Sequence, residues 1–236
     1  MSEGGGFRVA LTFDAEHPDR PRCPPGAQER VVKLLDEMQV RATFFLQGRW
    51  VEAYPDTARR IVDAGHLVGN HSFYHARLSL LSDEGLRVDV AEAERAIREA
   101  TGVDPRPWFR CPFGDGSDDE RVLSALASAG YRNAHWGVEP QEWRPERTAS
   151  LVIGLAVDGA VAAGDGAVVL FHAWPEPVVE ALPAVVAGLR DRGVTFVTVD
   201  EVPEPSGSQR RPAITPPSPS RPGTIGRRVR MRDRKE

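Results

Sequence analysis

A chain of 236 residues with 41 % hydrophobic and 27 % charged residues fits one large domain, or one domain and a tail, and can bury a sizeable core. No apolar run approaches the roughly 18 residues of a membrane span, and the start of the chain lacks the pattern of a secretory signal, so a cytoplasmic protein is expected. Two cysteines, Cys23 and Cys111, are too few for a disulfide scaffold or an all-cysteine zinc site.

Residues 7–13 form a short apolar run leading to Asp14, which predicts a buried strand. Over residues 29–38, Val31, Val32, Leu34, Leu35 and Met38 fall on a helical stripe. Residues 42–46 predict the next strand, 55–64 a helix stopped by Gly65, and 66–69 a short strand leading into Asn70-His71. Ser82 opens a long amphipathic helix to about residue 100, with Asp83 and Glu84 in its first turn and Leu86, Val90, Ala93 and Ile97 on one face. Residues 107–110 read as a strand, 120–129 as a helix behind the N-cap candidates Ser117, Asp118 and Asp119, and 133–138 as a strand. A helix over 148–163 is weakened by Gly154 and Gly159. A strand over 167–171, a helix over 178–192 and a strand over 195–199 complete the body.

From Pro205 onward the chain carries nine Arg/Lys against two acids, so the net charge of −4 splits into +7 in this tail and −11 in the rest. The tail is Pro/Ser/Arg-rich with almost nothing to pack, which predicts a disordered segment over 205–236 behind a domain over 1–204. A solvated appendage is the default reading, and contact with an anionic polymer the alternative. No aromatic residue is interleaved with its arginines, so no specific nucleic-acid binding is expected.

Repeated strand–helix units with buried apolar strands predict an α/β fold, a parallel sheet with helices outside. Six or seven units in about 200 residues fit a slightly short (β/α) barrel. A doubly wound open sheet is the alternative, but no Gly-x-Gly-x-x-Gly or Walker loop follows the first strand.

Polar, ligand-type residues collect at the C-terminal ends of these strands: Asp14 and Glu16, His71 and His75, Arg110, Glu139 and Glu142, then His172. In barrels that end carries the chemistry. His71 and His75 lie on one face if their segment is helical, as in zinc-binding helices, although such a pair alone is more often a surface or capping feature. Asp14 and Glu16 point to the same side of an extended strand. Two imidazoles and a carboxylate with open positions for water suit a hydrolytic metal site.

Thr12-Phe-Asp14, His71-Ser-Phe-Tyr-His75, Arg110-Cys-Pro-Phe-Gly114, Glu139-Pro-Gln-Glu-Trp143 and Leu170-Phe-His172 resemble, in order, the five motifs of the polysaccharide deacetylases, carbohydrate esterase family 4. The stretches 42–45 and 65–71 are similar to that family's second and third strands, and the likeness runs from about residue 7 to 200. The resemblance implies a distorted (β/α)7 barrel with parallel strands and metal-dependent hydrolysis of an N-acetyl amide or O-acetyl ester on a sugar. It further implies Asp14 as the base that deprotonates a water activated at the metal, with Arg110 pairing and aiming it. His71 and His75 resemble metal ligands, and His172 resembles the general acid that protonates the leaving amine, tuned by Glu139. The backbone N–H near Phe113 would help hold the oxyanion. Trp143, with Phe113 and Trp174, would line the sugar or acetyl pocket, with plain core packing as the alternative for all three.

The family places a metal-binding Asp directly after the base, where this chain has Ala15. Glu16 is the expected substitute, as in a divergent branch of the family, against a weakened or dead metal site. His17 is a lesser candidate that points to the other face of a regular strand. Cys111 stands where the third motif has proline and is expected to be a small buried thiol rather than a ligand. His66 and His135 are expected to be structural. The donor set suits a divalent metal, zinc first, and also accepts cobalt, nickel, iron or manganese. The expected substrate is an acetylated carbohydrate. Two other readings stay open: a hydrolase of a small non-glycan amide or imide, and an inactive carbohydrate-binding relative.

Overall fold

A computed structural model of the chain describes residues 7–16 and 24–202. His17, Cys23 and the 205–236 tail lie outside the described residues.

The short apolar runs at 9–15, 43–46 and 68–70 become strands buried on both faces, and every strand pair is parallel. β1 (Arg8–Ala15), β2 (Thr43–Leu46), β3 (Leu67–Asn70), β4 (Trp108–Phe109), β5 (Arg132–Asn133) and β6 (Ala167–His172) lie in the order β5-β4-β3-β2-β1-β6. The chain beyond β5 returns to the free edge of β6. There Val138 bridges Val169 in parallel, and its carbonyl accepts the Leu170 N–H at 2.9 Å. The sheet thereby curls into a distorted (β/α) barrel, its two edges joined, among the described residues, only by this bridge. β7 (Thr195–Val197) stands outside it, pairing with residues 8–10 of β1 on the edge that β2 takes further along, at residues 12–15. The strand expected over 133–138 is therefore two contacts, β5 on β4 and one bridge on β6.

The helices are α1 (Ala27–Glu37), α2 (Gly48–Ala53), α3 (Pro55–Asp63), α4 (Asp83–Thr101), α5 (Glu120–Ser128), α6 (Ala149–Ala163) and α7 (Glu176–Arg190). The caps match the sequence signals: Ser82 Oγ accepts the Gly85 N–H at 3.1 Å, and Asp119 Oδ1 accepts Arg121 N–H at 2.9 Å. α2 has no counterpart among the expected elements, because six residues are too few for a helical period to register. Gly159, a weak residue for a helix, is there because α6 crosses the closing segment. A Cβ on it would lie 2.6 Å from Val138 Cγ1.

Alternation along β1 positions the chemistry. Val9, Leu11, Phe13 and Ala15 join the core beneath the helices, whereas Ala10 packs inside the ring and Thr12 and Asp14 point with it. Ala15 is fully buried on the helix side, so the next inward position belongs to Glu16. His66 is structural as expected: its Nδ1 accepts the Ala42 N–H at 3.2 Å, and burial lowers its pKa to about 4. No helix among the described residues is long and apolar enough to cross a membrane.

Candidate active site

β1 delivers Asp14 and Glu16, the end of β3 delivers His71 and His75, the residue after β4 is Arg110, and β6 ends on His172. One ligand atom from each of Glu16, His71 and His75 falls within 4.8 Å of the others, and all three residues are buried. His75 Nε2 is in direct contact with Glu16 Oε2, and His71 Nε2 lies 3.5 Å from that oxygen.

The two imidazoles do not meet across a helix turn, the arrangement that a four-residue spacing suggests. Residues 71–75 form an irregular loop in which Ser72 (φ 64°) and His75 (φ 57°) both adopt left-handed backbone. Such backbone costs on the order of 1–3 kcal/mol per non-glycine residue and persists only where its surroundings enforce it. The enforcement is visible in the hydrogen bonds. Asn70 Oδ1 accepts the Ser72 N–H and Ser72 Oγ accepts the His75 N–H, each at 2.9 Å. Asn70 Nδ2 in turn donates to Val90 C=O at 3.0 Å and to the Tyr131 hydroxyl oxygen at 3.2 Å.

His71 Nδ1 lies 2.8 Å from the Arg110 carbonyl, which places a proton on Nδ1 and turns Nε2 toward the carboxylates. That Nε2 is buried and has no hydrogen-bond partner. Burial lowers the His71 pKa, but Asp14, Glu16 and the Arg110 carbonyl together raise it above the ordinary value. The residues present fit a divalent ion: two imidazole nitrogens and a carboxylate oxygen converge, and one buried nitrogen is otherwise unused.

Asp14 lies beside this cluster. Arg110 Nη1 donates to Asp14 Oδ1 at 2.8 Å and to Thr12 Oγ1 at 2.9 Å, while Arg110 Nε donates to the Ala134 carbonyl at 3.1 Å. Asp14 Oδ2 faces the cluster, 3.4 Å from His71 Nε2. Arg110 is fully buried, with its guanidinium carbon 4.0 Å from the Phe45 ring centroid.

His172 corrects one expectation. Its Nδ1 lies 2.8 Å from Oε1 of Glu142, not of Glu139. Burial lowers the His172 pKa, and the charge and hydrogen bond of Glu142, with Glu16 and Asp14 behind it, overcome this and raise it to about 9. Glu139 instead faces two indoles, accepting Trp136 Nε1 and Trp143 Nε1, each at 3.4 Å. The acids are three positions apart, and sequence alone does not say which one the irregular loop turns inward.

The three expected pocket aromatics differ. Phe113 is 54 % exposed, edge-on to His75 with ring centroids 4.4 Å apart, and Trp143 is 39 % exposed. Trp174 is 3 % exposed and offers no open face; its Nε1 donates to Glu16 Oε1 at 3.3 Å. Sequence reasoning misses that role. Cys111 is the small buried thiol expected, packed with Leu78, Val90 and Phe109, and burial pushes its pKa up to about 12.

The polysaccharide deacetylase family model matches residues 2–134. The chain belongs to the polysaccharide deacetylase family. This deacetylase-family chain is 34 % identical to a chitooligosaccharide deacetylase from Sinorhizobium fredii over 80 % of its own length and 88 % of the relative's. It superimposes on a family 4 carbohydrate esterase from Streptomyces lividans in complex with acetate with a TM-score of 0.70 and 27 % identity, covering 80 % of this chain and 91 % of that one. It is equally similar in fold to a family pseudoenzyme from Bacillus anthracis, at TM-score 0.74 and 27 % identity, over 84 % and 65 % of the two chains. Membership therefore fixes the family and the fold, and the side chains must carry the chemistry.

Proposed function

We propose that this polysaccharide deacetylase is a divalent-metal hydrolase that removes acetyl groups from N-acetylated, or O-acetylated, carbohydrate. The observation that carries the reading is the buried Glu16–His71–His75 cluster with Asp14 on one side and His172 on the other. The relatives named chitooligosaccharide and peptidoglycan deacetylases support the substrate class.

Glu16, His71 and His75 would hold the ion, zinc being the metal that such a donor set suits best. When bound it supplies Lewis-acid chemistry, polarising the acetyl carbonyl and making water a stronger acid. Asp14, fixed through Oδ1 by Arg110, keeps Oδ2 toward that point and takes the proton from the attacking water. His172 delivers a proton to the leaving amine or alkoxide. Glu142 orients its ring through Nδ1, so that Nε2 faces the cluster, 3.9 Å from Glu16 Oε1. Phe113 and Trp143, exposed at the rim, offer faces for the sugar.

The test is acetate release from a chitooligosaccharide by metal-stripped and zinc-reloaded protein, wild type against Glu16→Ala, with a small amide and a cyclic imide as parallel substrates. Zinc-dependent acetate release by wild type and its loss in Glu16→Ala is the expected result. Turnover of the small amide or imide alone would replace the carbohydrate reading, and sugar binding without turnover under any metal would place the chain with the pseudoenzyme.

A further inference from the structure

We propose that Asp89, a residue outside the five motifs, is the positioning residue that holds the His71–His75 loop in its ligand-bearing shape; the inference rests on the metal reading of that loop. Asp89 lies in α4, is 4 % exposed, and reaches the loop from behind. Its Oδ1 accepts the Phe73 N–H and its Oδ2 the Tyr74 N–H, both at 3.0 Å. Those two amides lie between the imidazoles, so the carboxylate grips the loop at its middle. Among the described residues no arginine or lysine pairs with Asp89, and the two amides are its hydrogen-bond partners. A buried carboxylate without them would be strongly unfavourable, and bonds to a charged acceptor are the stronger kind.

The opposite side of the loop is held by α2. Gly48 N–H donates to Ser72 C=O at 2.9 Å and Arg49 N–H to Phe73 C=O at 3.3 Å. A Cβ on Gly48 would overlap the Phe73 ring, so the approach needs glycine. Donors from α2 thus take the carbonyls while the acceptor from α4 takes the amides. Ser72 and His75 stay left-handed between them, and the two ring nitrogens stay converged on Glu16. Outer partners that orient metal ligands in this way typically change affinity by about 10–100-fold when removed.

The experiment compares wild type with Asp89→Ala, Asp89→Asn and Asp89→Glu. Zinc dissociation constants are measured by chelator competition, and amide exchange at Phe73 and Tyr74 is followed in the metal-free protein. We expect Asp89→Ala to weaken zinc binding about 10–100-fold and to expose both amides to exchange. Asp89→Asn keeps one acceptor oxygen and should lose less, and Asp89→Glu should recover part of the affinity by restoring the carboxylate. If Asp89→Ala fails to fold, the Asn and Glu variants are read in its place. Unchanged zinc affinity in folded Asp89→Ala, or in Asp89→Asn where the alanine variant does not fold, would overturn the proposal, as would fast-exchanging Phe73 and Tyr74 amides in wild type. Protein that binds no zinc in any form would instead remove the metal reading, while amide exchange alone would still decide whether Asp89 clamps the loop.

Discussion

Glu142 Oε1 accepts both the backbone N–H of His172, at 2.5 Å, and the proton on its ring Nδ1, at 2.8 Å. One oxygen therefore sets the main chain and the ring of the same residue, which fixes the tautomer and points Nε2 at the cluster. Glu142→Ala is expected to lower kcat by about 10²-fold or more, the order of a lost acid–base contribution, with little change in KM. Glu139→Ala frees the Trp136 and Trp143 indoles and should act mainly on KM. Steady-state kinetics on one oligosaccharide separates the two, and equal effects on kcat would contradict the assignment.

The raised His172 pKa gives a pH prediction with a definite sign. A general acid must carry its proton, so turnover should fall as pH rises through its pKa. The value near 9 belongs to the protein without a bound ion, where Glu16 and Asp14 help to raise it. A divalent ion cancels part of that negative field, so zinc should shift the His172 titration downward. Nuclear magnetic resonance titration of the ring with and without zinc reads this directly. An unshifted pKa on zinc addition would place the ion away from Glu16.

Metal removal should abolish activity reversibly. Glu16→Ala and His71→Ala each delete one converging donor, and both should lose stoichiometric zinc binding in equilibrium dialysis while keeping the native circular dichroism spectrum. A Glu16→Ala protein that still binds one zinc tightly would mean that another group completes the site.

Arg110 and Asp14 form a buried pair whose members protect one another. Arg110→Met leaves the Asp14 carboxylate buried without its partner and should cost roughly 3–5 kcal/mol of stability, read by urea unfolding. The double variant Asp14→Asn, Arg110→Met should recover a sizeable part, since no charge is then left alone. Additive losses in that cycle would deny the coupling.

Much of this molecule is legible in its amino-acid sequence. The strands and most helices follow from apolar runs, helical stripes and caps such as Ser82 and Asp119, because local burial and capping physics act over a few residues. The ordered motifs tell which strand ends carry acids, imidazoles and Arg110, since strand order and chain order coincide around most of the ring. Alternation along β1 is enough to put Asp14 and Glu16 on one side.

What only the tertiary structure decides lies in irregular backbone and in contacts between elements distant in sequence. A four-residue spacing suggests a helix for His71 and His75, whereas a left-handed loop held from α2 and α4 brings their rings together. Two glutamates three residues apart are equivalent candidates for His172 by residue type alone. The path of the loop over 139–143 separates them, turning Glu142 inward and Glu139 toward the indoles. Trp174 reads as a pocket wall in sequence and is a buried donor to Glu16 in the fold. In each case side-chain type sets what chemistry is possible, and a backbone path stabilised by remote residues sets which atom performs it.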